Sequence, residues 1–126
     1  MNTARALMLM AGVLGATGVA LAAVGAHVAG GAGGFDGYRA WQSASLIHLV
    51  HVPALLAIGV AADRYPRAGW RWPGLLIVTG VLLFSGSIYR SGLLQLDGAG
   101  PLAPVGGSTL IFAWLVVGWC AWRSRS

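Results

Sequence analysis

His48 and His51 stand three residues apart inside an apolar segment, and with His27 they are the chain's only imidazoles. A three-residue step turns about 60° around a helix, so His48 and His51 are expected on one helical face. Imidazole can move protons, activate a nucleophile or ligate a metal. The hydroxyls of Ser85, Ser87, Tyr89 and Ser108 and the guanidinium of Arg90 complete the set of groups that could work with them. These eight residues form the candidate polar cluster.

Three chemistries compete for that cluster. In the first, neutral histidines hydrogen-bond serines, Tyr89 or freed backbone carbonyls and tie helices together. In the second, the groups line a pocket for a small ligand, a lipid headgroup or a proton. In the third, they hold a metal or haem. Haem would need two imidazoles facing each other from different helices, and His27 with His48 or His51 is the pairing available. Zinc would accept three histidines, but no carboxylate within a span stands ready to orient them. The chain has no glutamate, and its three aspartates lie in connections or at their margins. A Ser-His-Asp arrangement therefore lacks its acid, leaving at most a Ser-His dyad. The missing intramembrane carboxylate also argues against a proton-coupled exporter. The structural role ranks first; no catalytic residue, metal site or cofactor is assigned.

What positions these groups follows from composition. A hydrophobic fraction of 57% against 9% charged, with mean hydropathy +0.75, is far from a soluble domain. The apolar residues run in stretches of about 20, the length that crosses roughly 30 Å of hydrocarbon. Four such spans are read, at 7–28, 41–62, 73–93 and 105–122, as one domain over residues 1–126. The expected fold is all-α: an integral membrane four-helix bundle.

Charge then gives an orientation. Arg5, Arg64, Arg67, Arg71, Arg123 and Arg125, against Asp63 alone, fall at the ends of spans on one side. The other side balances Arg39 and Arg90 against Asp36 and Asp97. The positive-inside rule places both termini in the cytoplasm. The histidines, serines, Tyr89 and Arg90 then collect in the outer half of the membrane. Tyr65, Trp70, Trp72 and Trp122 are expected as anchors at the inner interface, and Tyr38, Trp41 and Tyr89 at the outer one.

Glycine density over residues 29–40, and glycine with proline over 94–104, marks the two outer loops. Small residues repeat every four positions in span one, as Gly18, Ala22 and Ala26 and as Gly12, Ala16 and Ala20, and are expected to pack inside the bundle. Pro53 should bend span two and free the carbonyl of Leu49, for which His51 or a serine would be a partner. Arg5 followed by an apolar run and Ala20-Leu21-Ala22 also resembles a cleavable signal peptide. The run from Leu7 to Val28 is longer than the usual apolar region of such a peptide, which favours an uncleaved span.

The net charge of +5 does not point to nucleic acid, because no basic stripe interleaves with aromatics. Cys120 is the sole cysteine and reads as a small apolar filler. The two helical hairpins show no convincing repeat, so the inverted-repeat signature of many transporters is missing.

Four segments together carry a resemblance. They are Val24-Gly25-Ala26-His27-Val28, Trp41 with Ala44, His51 and Ala54, Leu83-Phe84-Ser85-Gly86-Ser87-Ile88-Tyr89, and Pro104-Val105-Gly106-Gly107. In order and spacing the chain resembles the YgdD and YwdK type of small bacterial inner-membrane proteins, a domain of unknown function (DUF 423). The resemblance implies a four-span plasma-membrane protein with an uncleaved first helix, and no particular activity. The family pattern in span two resembles Tyr-Gln-x-x-His: His51 matches it, whereas His48 replaces the glutamine, which weakens a shared two-histidine metal site. Pro53 also departs from the pattern.

The resulting expectation is a non-catalytic module, acting as an accessory subunit or binding a lipid or small ligand. Its expected partners are membrane lipids and a larger membrane complex or homo-oligomer. A histidine-dependent enzyme or redox protein is the first alternative, and an oligomeric minimal channel or transporter the second.

Overall fold

The structure is a computed structural model that describes residues 1–32 and 34–125, with the side chains of residues 28–35 outside that description. It is all-helical: α1 (Thr3–Ala32), α2 (Gly34–Arg64), α3 (Arg71–Leu93) and α4 (Leu102–Arg123). Each holds a segment long and apolar enough to cross a membrane, at Thr3–His27, Asp36–Arg64, Arg71–Leu93 and Leu102–Arg123.

The helices outrun the expected spans, and the glycine-rich first loop is the largest correction. Residues 29–32 continue α1 and residues 34–40 already belong to α2. Glycine lowers helix stability by about 1 kcal/mol relative to alanine without forbidding the conformation. The pairing of α1 with α2 outweighs that cost. At the other connection α4 begins at Leu102, so Pro104 lies in its first turn, as Pro73 does in α3. A helix's first turn has no amide partner to lose, which makes proline harmless there.

Pairing is set by small and apolar residues at alternating three- and four-residue steps. In α1 the inward row is Ala4, Leu7, Ala11, Leu14, Gly18, Leu21 and Gly25; in α4 it is Gly106, Leu110, Ala113, Val117 and Cys120. Such spacing keeps one seam turned toward a neighbour over the whole helix. Helix α3 is central, packing on α1, α2 and α4, whereas among the described residues the backbone of α4 approaches α3 alone. The bundle is therefore a three-helix unit with a fourth helix laid against α3. The α3–α4 approach is close: a Cβ on Gly106 would press into the backbone of Leu83 and Phe84.

Neither row of small residues in α1 packs over its whole length: in the first Ala22 is half-buried and Ala26 exposed. Gly18 is buried against α2, but Gly12, Ala16 and Ala20 are exposed, with nothing near the Cβ position of Gly12.

The core has two parts. The larger, around Leu7, Leu14, Leu55, Ile77 and Leu110, runs toward the end that holds the termini. The smaller joins Trp41, Ala44 and Tyr89 near the opposite end. Trp41 is 3% exposed and its indole lies between the helix surfaces at Gly25 and Gly92, where any Cβ would strike the ring. Its Nε1–H donates to the Leu21 carbonyl at 2.9 Å, and its ring centroid lies 4.9 Å from that of Tyr89. Neither residue is an interface anchor; both are core. Trp70 is likewise buried, whereas Tyr38, Tyr65, Trp72 and Trp122 are exposed.

Candidate functional site

The eight cluster residues divide by the helix face each occupies. His48, Tyr89 and Ser85 come together between α2 and α3. Nδ1 of His48 and the Tyr89 hydroxyl share a hydrogen bond at 3.1 Å, and Ser85 Oγ donates to the Ala44 carbonyl at 2.8 Å. All three side chains are buried. Ser45, which the residue types alone did not single out, belongs to the same group. Its hydroxyl adjoins Tyr89, and His48 approaches the Leu14 backbone of α1, but the buried Ser45 Oγ and His48 Nε2 reach neither at full hydrogen-bond geometry. His48 Nε2 faces α1 beside Gly18.

His51 serves a different interface. Nδ1–H donates to the Ile47 carbonyl at 2.6 Å, and Nε2 accepts from Nε1–H of Trp114 in α4 at 3.1 Å. Both ring nitrogens are engaged, which defines a neutral imidazole with its proton on Nδ1. His48 and His51 thus diverge instead of facing one partner, because 60° of rotation separates the α3 side of α2 from its α4 side. The donor of His51 goes to Ile47, not to the Leu49 carbonyl freed by Pro53.

The remaining members do not join either group. Ser87 Oγ donates to the carbonyl of Phe84, and Ser108 Oγ to that of Pro104, each within its own helix. His27, Arg90 and Ser108 are exposed on the outside of the helices. No His, Cys, Asp or Glu trio converges among the described residues. The described serine hydroxyls of the cluster donate to carbonyls, so none is hydrogen-bonded to a histidine.

Trp114 is the other residue that sequence reasoning missed. It forms one wall of a lateral cleft of about 250 Å³ between α2, α3 and α4, with Ile47, His51, Phe84 and Leu110. The cleft is almost wholly apolar, and the imidazole-indole pair closes its side.

Comparison with known proteins supplies a family. The family model described as "Protein of unknown function (DUF423)" matches residues 21–107. That segment carries all of the cluster except Ser108, and it stops short of Trp114, the partner of His51. The chain is 37% identical over 67 residues to UPF0382 membrane protein SAB0533 of Staphylococcus aureus (strain bovine RF122 / ET3-1), covering 53% of this chain and 54% of that one. To UPF0382 membrane protein YwdK of Bacillus subtilis (strain 168) it is 31% identical over 68 residues, covering 53% and 55%. UPF0382 membrane protein C1782.12c of Schizosaccharomyces pombe (strain 972 / ATCC 24843) is 43% identical over 49 residues, 35% of this chain and 42% of that one. The yeast relative extends the likeness beyond bacteria. The chain spans about half the length of the curated relatives it matches. No solved structure matches. With the family model covering more than half of its length, and with four apolar helices in the arrangement described, the chain belongs to the DUF423 family of membrane proteins of unknown function.

Proposed function

We propose that the protein is a non-catalytic membrane module, an accessory subunit whose interior polar groups hold the helices in register. The observation that carries this reading is the pairing of His51: one nitrogen is spent on its own helix and the other on Trp114 of α4. A base needs a lone pair directed at a substrate, and a ligand needs one directed at a metal; this imidazole has given both nitrogens to protein partners. The exposed apolar side of α4 supports an accessory role, since only 17% of its span is buried against 50% for α3. In the membrane that side meets lipid, a larger complex or a second copy. Extraction in mild detergent followed by mass spectrometry of co-purifying proteins tests the reading. A stoichiometric membrane partner or a homo-oligomer is expected, and a clean monomer would count against it.

A second reading rests on the α2–α3–α4 cleft, whose apolar walls and lateral opening suit a lipid chain or a small apolar ligand.

The arginine asymmetry supports placing both termini in the cytoplasm of a bacterial plasma membrane, with His48 and His51 toward the outer half. In a Cys120→Ser background, Asp97→Cys should react with an impermeant maleimide on intact cells and Arg125→Cys only after lysis. The reverse pattern would invert the topology.

A further inference from the structure

We propose that the cleft between the α2–α3 connection and the end of α4 binds the phosphate of an anionic glycerophospholipid. Four arginines, Arg64, Arg67, Arg123 and Arg125, line this space of about 580 Å³, and among the described residues no carboxylate does. They come from two places far apart in sequence and meet only in the fold. Asp63, the one aspartate of this end, lines the neighbouring cleft, which Arg67 also borders. Helices α2 and α4 both end here, and each C-terminus contributes roughly half a negative charge, leaving about three positive charges uncompensated. Guanidinium groups suit this ligand because their planar donors match phosphate oxygens in pairs.

The walls are fixed relative to each other. Nε1–H of Trp70, in the connection, donates to Ser124 Oγ at 3.1 Å, and that hydroxyl donates to the Cys120 carbonyl at 2.7 Å. This tie locks the last turn of α4 against the connection, so the backbone segments that carry the arginines are already in place when an anion arrives. The source of the phosphate follows from what lies beside the cleft. Leu115, Trp119 and Trp122 form an exposed apolar column on α4 that leads from the membrane interior to the cleft's rim. A diacyl chain can follow that column while its headgroup occupies the cleft; a soluble phosphate has no use for it.

Native mass spectrometry of the full chain in mild detergent, offered dioleoyl phosphatidylglycerol and dioleoyl phosphatidylcholine in equal amounts, tests the proposal. The wild type should retain phosphatidylglycerol over phosphatidylcholine by about tenfold, as expected for several charge-assisted contacts. Arg67→Gln with Arg123→Gln should bring the ratio near unity. Arg5→Gln with Arg71→Gln removes the same charge from the same end outside the cleft, and should leave the preference within about a factor of two. Inorganic phosphate should not displace the lipid. Equal retention of the two lipids by the wild type, an equal loss in the Arg5 and Arg71 pair, or displacement by inorganic phosphate would each overturn it. All three readouts survive even if the Arg67 and Arg123 pair fails to fold.

Discussion

The imidazole of His51 accepts a hydrogen bond from the indole of Trp114 at 3.1 Å, joining α2 to a helix whose backbone, among the described residues, packs on α3 alone. Their ring centroids lie 5.9 Å apart, tilted by 56°. Helix α4 packs closely on α3, and this hydrogen bond is what ties it to α2 as well.

Replacing His51 by leucine leaves the Trp114 N–H without its partner and should cost about 1–2 kcal/mol, near the upper end for interhelical hydrogen bonds in membranes. His48→Gln keeps a polar group in reach of Tyr89 and should cost less. Thermal unfolding of the two variants in the same detergent gives the order, and equal shifts would contradict it.

Ser45 and Ser85 are near neighbours with opposite accounts. Ser85 Oγ donates to Ala44, whereas the buried Ser45 Oγ reaches no partner at full hydrogen-bond geometry. A buried hydroxyl that only adjoins Tyr89 without full hydrogen-bond geometry recovers little of its desolvation cost. Ser45→Ala is therefore expected to be neutral or stabilising, and Ser85→Ala to lose about 1 kcal/mol. Melting temperatures that fall equally for both would show that Ser45 has a partner in the membrane.

Gly106 and Gly12 make a second contrast. A methyl on Gly106 meets the backbone of Leu83 and Phe84, which cannot swing aside; one on Gly12 meets nothing within 4 Å. Gly106→Ala should destabilise the α3–α4 pair by about 1–3 kcal/mol, the usual range for overpacking. Gly12→Ala should be neutral or stabilising, by up to about 1 kcal/mol. Chemical denaturation followed by tryptophan fluorescence measures both.

The spans were legible because a run without charge can be counted in residues, and the hydrocarbon sets the length required. Their ends were less so. Residues 29–32 and 34–40 look like a loop by glycine content, yet they are helical, because tertiary pairing overrides propensity. The cluster was legible as a set of polar residues in one half of the chain's spans, but not as two groups. Which way His48 and His51 turn depends on where α3 and α4 stand around α2, and that placement is long-range. Trp41 and Tyr89 show the same limit: their amphipathic rings suit an interface, but the close approach at Gly25 and Gly92 takes the indole of Trp41 inside. The row Ala4, Leu7, Ala11, Leu14, Gly18, Leu21, Gly25 was present in the sequence and readable by its alternating steps.

The central claim is that the intramembrane histidines bind helix to helix. A double-mutant cycle on His51→Leu and Trp114→Phe, measured by unfolding in detergent, tests it most directly. The account predicts a coupling of about 0.6–1.7 kcal/mol, between the average and the maximum for interhelical hydrogen bonds in a membrane protein. Strictly additive effects would contradict it and would return His51 to the residues whose chemistry is still to be found.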